Sequence, residues 1–268
     1  MILNHDIHVH TYLSACCAEK ETHRPSNILK VAEKMGTNTI GFSDHLWVND
    51  SINPGPWYAA QGRNQIEKLS KDLAEIETTV DVLVGCETDM YGPDIFGMTR
   101  DFAEKLDFVL LPHSHFHMTE YMRRSHDNSC RGLAADMLEF FRAAVTSGIA
   151  TSIAHPFYPC IEMDSWDGII DSIADAELSD VFALAAEHNV AMEITVGNYP
   201  PQKADGSGQT RWSLETPVRF LTLAREAGCK FTLGTDAHSL EKLERLPELS
   251  GLAEAAGITD DHILRLDQ

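Results

Sequence analysis

At 268 residues and 43% hydrophobic content, the chain can bury a full core as one α/β barrel or two ordinary domains. Its 21 Lys and Arg against 41 Asp and Glu give a formal charge of −20, which disfavours nucleic acid, because phosphate backbones need clustered cations. No apolar run approaches the roughly 20 residues of a membrane span, and no basic leader opens the chain, so a cytoplasmic location away from membranes is expected.

Strand-like segments at 2–9, 38–43, 81–86, 106–111, 150–154, 190–195 and 231–234 alternate with helical patterns near 25–35, 62–79, 97–105, 132–147, 167–188 and 215–228. A further helical stretch, 239–246, follows the last strand, and 251–268 reads as a small helical tail. This alternation predicts parallel β-structure with crossover helices, and seven strands rather than eight predict an imperfect barrel. No linker or internal repeat divides the chain, so 1–268 is expected to be a single domain. Long polar connections at 46–61, 116–131 and 197–213 all follow strand ends, where a barrel places its substrate loops.

The strand ends share one chemistry. His8 and His10 close the first strand, Asp44 and His45 the second, Glu87 the third; His115 follows the fourth, His155 closes the fifth, and Asp236 with His238 the last. Residues i and i+2 of a strand point to one side, and parallel strands of a barrel converge at their C-terminal ends. Imidazoles and carboxylates gathered in this way suit zinc, manganese or iron. The six cysteines form no C-x-x-C pair, which fits reduced thiols rather than a zinc ribbon. Asp6 and Asp44 stand beside the histidines and could orient their ring N–H groups.

Taken in order, His8-Val9-His10-Thr11, Ser43-Asp44-His45, Gly85-Cys86-Glu87, the His113-Ser114-His115 region, Ala154-His155-Pro156 and Gly234-Thr235-Asp236-Ala237-His238 resemble the motif series of the PHP family, named for polymerase and histidinol phosphatase. The resemblance implies a distorted seven-stranded (β/α)7 TIM-like barrel, two or three divalent metal ions (Zn, Mn or Fe), and phosphoester hydrolysis. By the same resemblance, His8, His10, Glu87 and Asp236 would hold one metal, and Glu87, His115 and His155 a second, with Glu87 bridging. His45 and His238 would hold the third. Where that site's further ligand is commonly His, six positions after His10, this chain has Cys16, whose thiolate can also bind zinc. Within His113, His115 and His117, alternation leaves the ligand open, and the family-like spacing from Glu87 selects His115.

Two such metals can bridge a hydroxide and lower the pKa of water from 15.7 to about 7, and the resemblance implies a small phosphomonoester as the substrate. Asp236, His238 and His117 are candidates for handling the leaving group's proton. Arg123, Arg124 and Arg211, in the long loops, are candidates for the outer phosphate oxygens, because a guanidinium fork matches phosphate. Trp57, Tyr58 and Tyr199 could pack against the leaving group. The alternatives are an amidohydrolase-type metal-dependent hydrolase of C–N or ester bonds and a non-catalytic metal-stabilised scaffold.

Overall fold

The computed structural model describes residues 5–266; positions 2–4 of the expected first strand and 267–268 of the expected tail lie outside them. In chain order the elements are β1 (His5–Val9), α1 (Pro25–Met35), β2 (Thr39–Phe42), α2 (Gly55–Tyr58), α3 (Asn64–Leu73), β3 (Asp81–Val84), β4 (Cys86–Glu87), β5 (Met90–Gly92) and β6 (Ile95–Phe96). They continue with α4 (Arg100–Ala103), β7 (Val109–Leu110), α5 (Cys130–Thr146), β8 (Ser152–Ile153), α6 (Trp166–Asp171), α7 (Asp175–Glu187), β9 (Ala191–Thr195), α8 (Glu215–Glu226), β10 (Phe231–Gly234), α9 (Leu240–Leu243) and α10 (Leu249–Ala255).

The protein is mixed α/β with parallel sheets. One sheet has the order β1-β2-β3 and the other β10-β9-β8-β7-β4, every pairing parallel. Gly85 separates β3 from β4 within one extended run. A Cβ at Gly85 would lie 2.5 Å from the Phe108 carbonyl oxygen and 2.6 Å from its ring, so only glycine lets the two chains approach. At the other edge, His10 N donates to Ala237 O (3.0 Å) and Ala237 N to His8 O (3.1 Å). These two bonds bring the end of β10 beside the end of β1.

The helices bury their apolar faces on the sheets. In α5, Leu133, Met137, Phe140, Phe141 and Ala144 recur at helical spacing and are fully buried. They join Phe157, Trp166, Phe182 and Phe220 in one cluster, and each buried aromatic contributes roughly 1.5–3 kcal/mol. The Ser129 hydroxyl caps α5 by accepting from Gly132 N at 3.1 Å.

Three expectations about elements change. The helix expected over 167–188 is two helices, because Ala174 is extended and the Glu177 carboxylate accepts its N–H at 3.0 Å, starting α7 afresh. The antiparallel hairpin β5–β6 was absent from the sequence reading, since strands of two or three residues are too short to show a period. The tail is helical only in part: after α10 the chain turns back and Leu264 N donates to Phe231 O (2.7 Å), adding a bridge to β10. Among the described residues no helix is long and apolar enough to cross a membrane.

Candidate metal centre

Glu87, at the end of β4 and 1% exposed, is the hub. Its Oε2 lies 3.4 Å from His8 Nε2, 3.3 Å from His10 Nε2 and 3.3 Å from His45 Nε2. Its Oε1 lies 3.0 Å from His155 Nε2 and 3.9 Å from His115 Nε2. Asp236 Oδ1 approaches the same His8 and His10 nitrogens at 3.5 and 3.4 Å. Around Glu87, three groups of donor atoms are close enough to share an ion: His8, His10 and Asp236; His8, Glu87 and His155; and His10, Cys16, His45 and His238; a fourth group, His126, Asp136 and Glu139, does not share residues with them. His115 faces Glu87 from slightly farther out than the resemblance implies, and His8 stands in that second group.

These imidazoles are pinned in one tautomer. His8 Nδ1 donates to Glu193 Oε1 (2.6 Å), and His115 Nδ1 to Asp89 Oδ1 (2.6 Å). His238 Nδ1 donates to the Asp236 carbonyl (2.9 Å), which can only accept. The Ser14 hydroxyl gives its proton to Asp44 (2.7 Å) and so accepts from His10 Nδ1 (3.1 Å). The Tyr58 hydroxyl likewise donates to Asp89 and faces His45 Nδ1 at 3.3 Å as an acceptor. In all five rings Nδ1 has an acceptor for its proton and Nε2 is turned toward the centre, the arrangement metal-ligating histidines need. His8 Nε2 and His10 Nε2 are buried without a hydrogen-bond partner. That cost of about 1–3 kcal/mol for each buried unsatisfied group is offset when a cation binds there.

The charges point the same way. Burial would lower the His8 pKa, but the Glu193, Glu87 and Asp236 carboxylates overcome it and raise it well above normal. Burial also opposes ionisation of Glu87, yet His45 and His8 hold its carboxyl well below the usual range. A field that draws protons onto imidazoles will draw a divalent cation more strongly, with release of those protons. At the rim, burial lowers His45 to about 3 and His238 and His117 to about 4, so these rings are neutral at pH 7.

Two kinds of residue escaped the sequence reading. Glu193, inside β9 and fully buried, accepts from His8 Nδ1 and, through Oε2, from His155 N (2.6 Å). Lys242 on α9 places Nζ 3.0 Å from Asp236 Oδ2. Glu193 was detectable as one carboxylate in an otherwise apolar strand, since buried charges are paired. Asp89 was detectable as the i+2 neighbour of Glu87. His155 and Asp236 have φ of 27° and 53°, left-handed values that non-glycine residues adopt at functional sites.

Asp6 accepts from His8 N, Thr235 N and the Thr235 hydroxyl (3.2, 3.0 and 2.6 Å), and Asp44 accepts from Thr11 and Ser14; both brace the backbone around the site, and Glu193 and Asp89 serve the rings. Arg124 pairs with buried Asp136 (3.3 Å) and with Asn128, and Arg211 with Asp164 (2.8 Å). Arg123 is exposed. Tyr199 spends its hydroxyl on the Glu248 carbonyl, and Tyr58 is buried against Asp89.

His113 lies apart from the donors, edge-on to Phe141 and Phe157 at 5.2 and 5.0 Å, with both ring nitrogens unpartnered. Burial lowers its pKa to about 3. The folded protein therefore resists protonating a group that the unfolded chain protonates near 6.5, so this residue weakens the fold as pH falls from about 6.5 toward 3. His113→Leu is expected to keep the metal content of the wild type and to hold or gain up to ~1 kcal/mol, with the advantage widening between pH 7 and pH 4. Thermal melts across that pH range, paired with elemental analysis, measure both; loss of metal would make His113 a ligand.

No curated protein matches the sequence. Among solved structures, N-isopropylammelide isopropylaminohydrolase from Burkholderia multivorans is similar at 13% identity and a TM-score of 0.45, over 96% of this chain and 69% of that one. An uncharacterized protein is similar at 11% identity and a TM-score of 0.41, over 94% and 70%. Neither likeness is close enough to bear on activity. Residues 6–196 match the PHP domain, which spans β1 through β9 and carries His8, His10, His45, Glu87, His115 and His155. The chain belongs to the PHP domain family.

Proposed function

We propose that this protein is a metal-dependent phosphoesterase that hydrolyses a small phosphomonoester. The observation that carries the reading is the convergence of four imidazole Nε2 atoms on the single carboxylate of Glu87 within 3.4 Å. Membership of the PHP family supports metal-dependent hydrolysis. The strand order supports a finer reading of the fold: β1, β2, the β3–β4 run, β7, β8, β9 and β10 act as seven staves of one distorted barrel, in a single domain.

His8, His10, Glu87 and Asp236 would hold one ion, Glu87, His115 and His155 a second, and His45, His238 and Cys16 a third. The ions would supply Lewis acidity and a water ionised near neutral pH. This chain's own groups do the rest. Glu193 and Asp89 keep the His8 and His115 rings turned inward. His238 keeps its Nδ1 proton on the Asp236 carbonyl, so its Nε2 is free for the third ion and the ring has no proton to supply at pH 7. His117, lowered by burial to about 4, likewise has no proton to supply at pH 7, which leaves proton uptake as its role. Lys242, paired with Asp236 and 30% exposed, is the ammonium placed to meet a phosphate oxygen in place of the expected arginines.

Protein purified without chelator should carry divalent metal and cleave a panel of phosphomonoesters. Chelation should stop turnover, and manganese or zinc should restore it. Cleavage of an aryl acetate or a lactone with no phosphomonoester turned over would replace this reading with a carbonyl hydrolase, and absence of both activities would leave a scaffold.

A further inference from the structure

A cavity of about 560 Å³ opens directly over the donor cluster, floored by Cys16, His45 and His115. Its walls come from two loops. The Trp57 indole stands edge-on to His45, 4.8 Å between centroids, and is 37% exposed. Met118 and Tyr121 form the facing wall. Tyr121 stacks on Tyr91 at 5.2 Å, and its ring fills the place where a Cβ on Gly55 would go, so the two loops are packed together and the cavity is formed in advance. The charged groups lining it are acidic or histidine: Asp89 at the floor and Glu120 at the rim, with no Lys or Arg.

On the reading that the donor cluster is the reaction centre, we infer that this cavity receives the part of the substrate beyond the scissile bond, and that this part is a flat ring without negative charge. A phosphoryl group can be neutralised at the donor cluster. A second anion in the cavity would meet Glu120 and an Asp89 already paired with His115, with no Lys or Arg among the lining residues, inside a chain of net charge −20. A ring instead covers the indole face and the Met118 and Tyr121 side chains, removing exposed aromatic surface from water.

Benzyl phosphate, glycerol 3-phosphate and 3-phosphoglycerate all leave as alkoxides, so they differ chiefly in what enters the cavity. With manganese-loaded protein, kcat/KM for benzyl phosphate should exceed that for 3-phosphoglycerate by at least about tenfold, with most of the difference in KM. Trp57→Ala should narrow the benzyl-over-glycerol ratio to within about twofold. Equal or better use of 3-phosphoglycerate, or a ratio untouched by Trp57→Ala, would overturn the assignment. Saturation-transfer NMR with benzyl alcohol and glycerate reads the cavity without any turnover. Benzyl alcohol binding that Trp57→Ala removes supports the cavity assignment even where no ester is cleaved, and places the error in the phosphoesterase reading alone; glycerate binding in preference overturns it.

Discussion

Glu87→Gln is expected to strip the protein of its metal and reduce phosphomonoester turnover by more than about 100-fold, beyond the 10–100-fold typical of losing a group that only orients a ligand. The carboxylate faces His8, His10, His45 and His155 at 3.0–3.4 Å and so reaches members of all three donor sets. Gln is isosteric, so the backbone bonds around position 87, Glu87 N to Ser43 O (3.1 Å) and Leu46 N to Glu87 O (2.9 Å), are kept. What changes is a negative charge replaced by an amide whose NH2 now confronts imidazole nitrogens and a cation. Elemental analysis after purification without chelator reads the metal, and far-UV circular dichroism confirms the fold. Wild-type stoichiometry in the variant would remove Glu87 from the centre and with it the bridging arrangement.

Glu193→Gln is expected to weaken metal binding by about 10–100-fold and to cost roughly 1–3 kcal/mol of stability, although Glu193 is itself a member of none of the donor groups. Both its oxygens accept: Oε1 from His8 Nδ1 and Oε2 from His155 N, each at 2.6 Å. An amide has one acceptor and one donor end. Either the His8 ring loses its acceptor and can take the wrong tautomer, or the buried His155 N–H faces an NH2. Metal titration followed by calorimetry, together with a thermal melt, separates the two losses. The control is His113→Leu, equally buried and expected to leave metal affinity alone. Unchanged affinity in Glu193→Gln would mean that His8 needs no help to present Nε2.

The donors were legible because each stands at the end of a strand-like run, and such ends converge. His8 with His10, His45, Glu87, His155 and Asp236 with His238 are read from local pattern, and the structure brings them together. His113, His115 and His117 were not separable, because β7 ends at Leu110 and the chain then turns, with Phe116 N donating to Ser114 O (2.7 Å). Once a strand stops, alternation no longer says which side chain faces the mouth. The arginines show a related limit: which carboxylate a loop guanidinium pairs with is set by the fold, and for Arg211 and Arg124 those are Asp164 and Asp136.

By itself the amino-acid order determined which donors exist, the sequence of strands that carries them and the alternating α/β pattern, since each of these depends on residues close together in the chain. The tertiary structure alone decided which ring nitrogen each histidine turns inward. That choice rests on acceptors such as Glu193, which is 185 positions from the His8 ring it holds. A tautomer is a property of a hydrogen-bonded pair, and no spacing within one strand can specify a partner supplied by another.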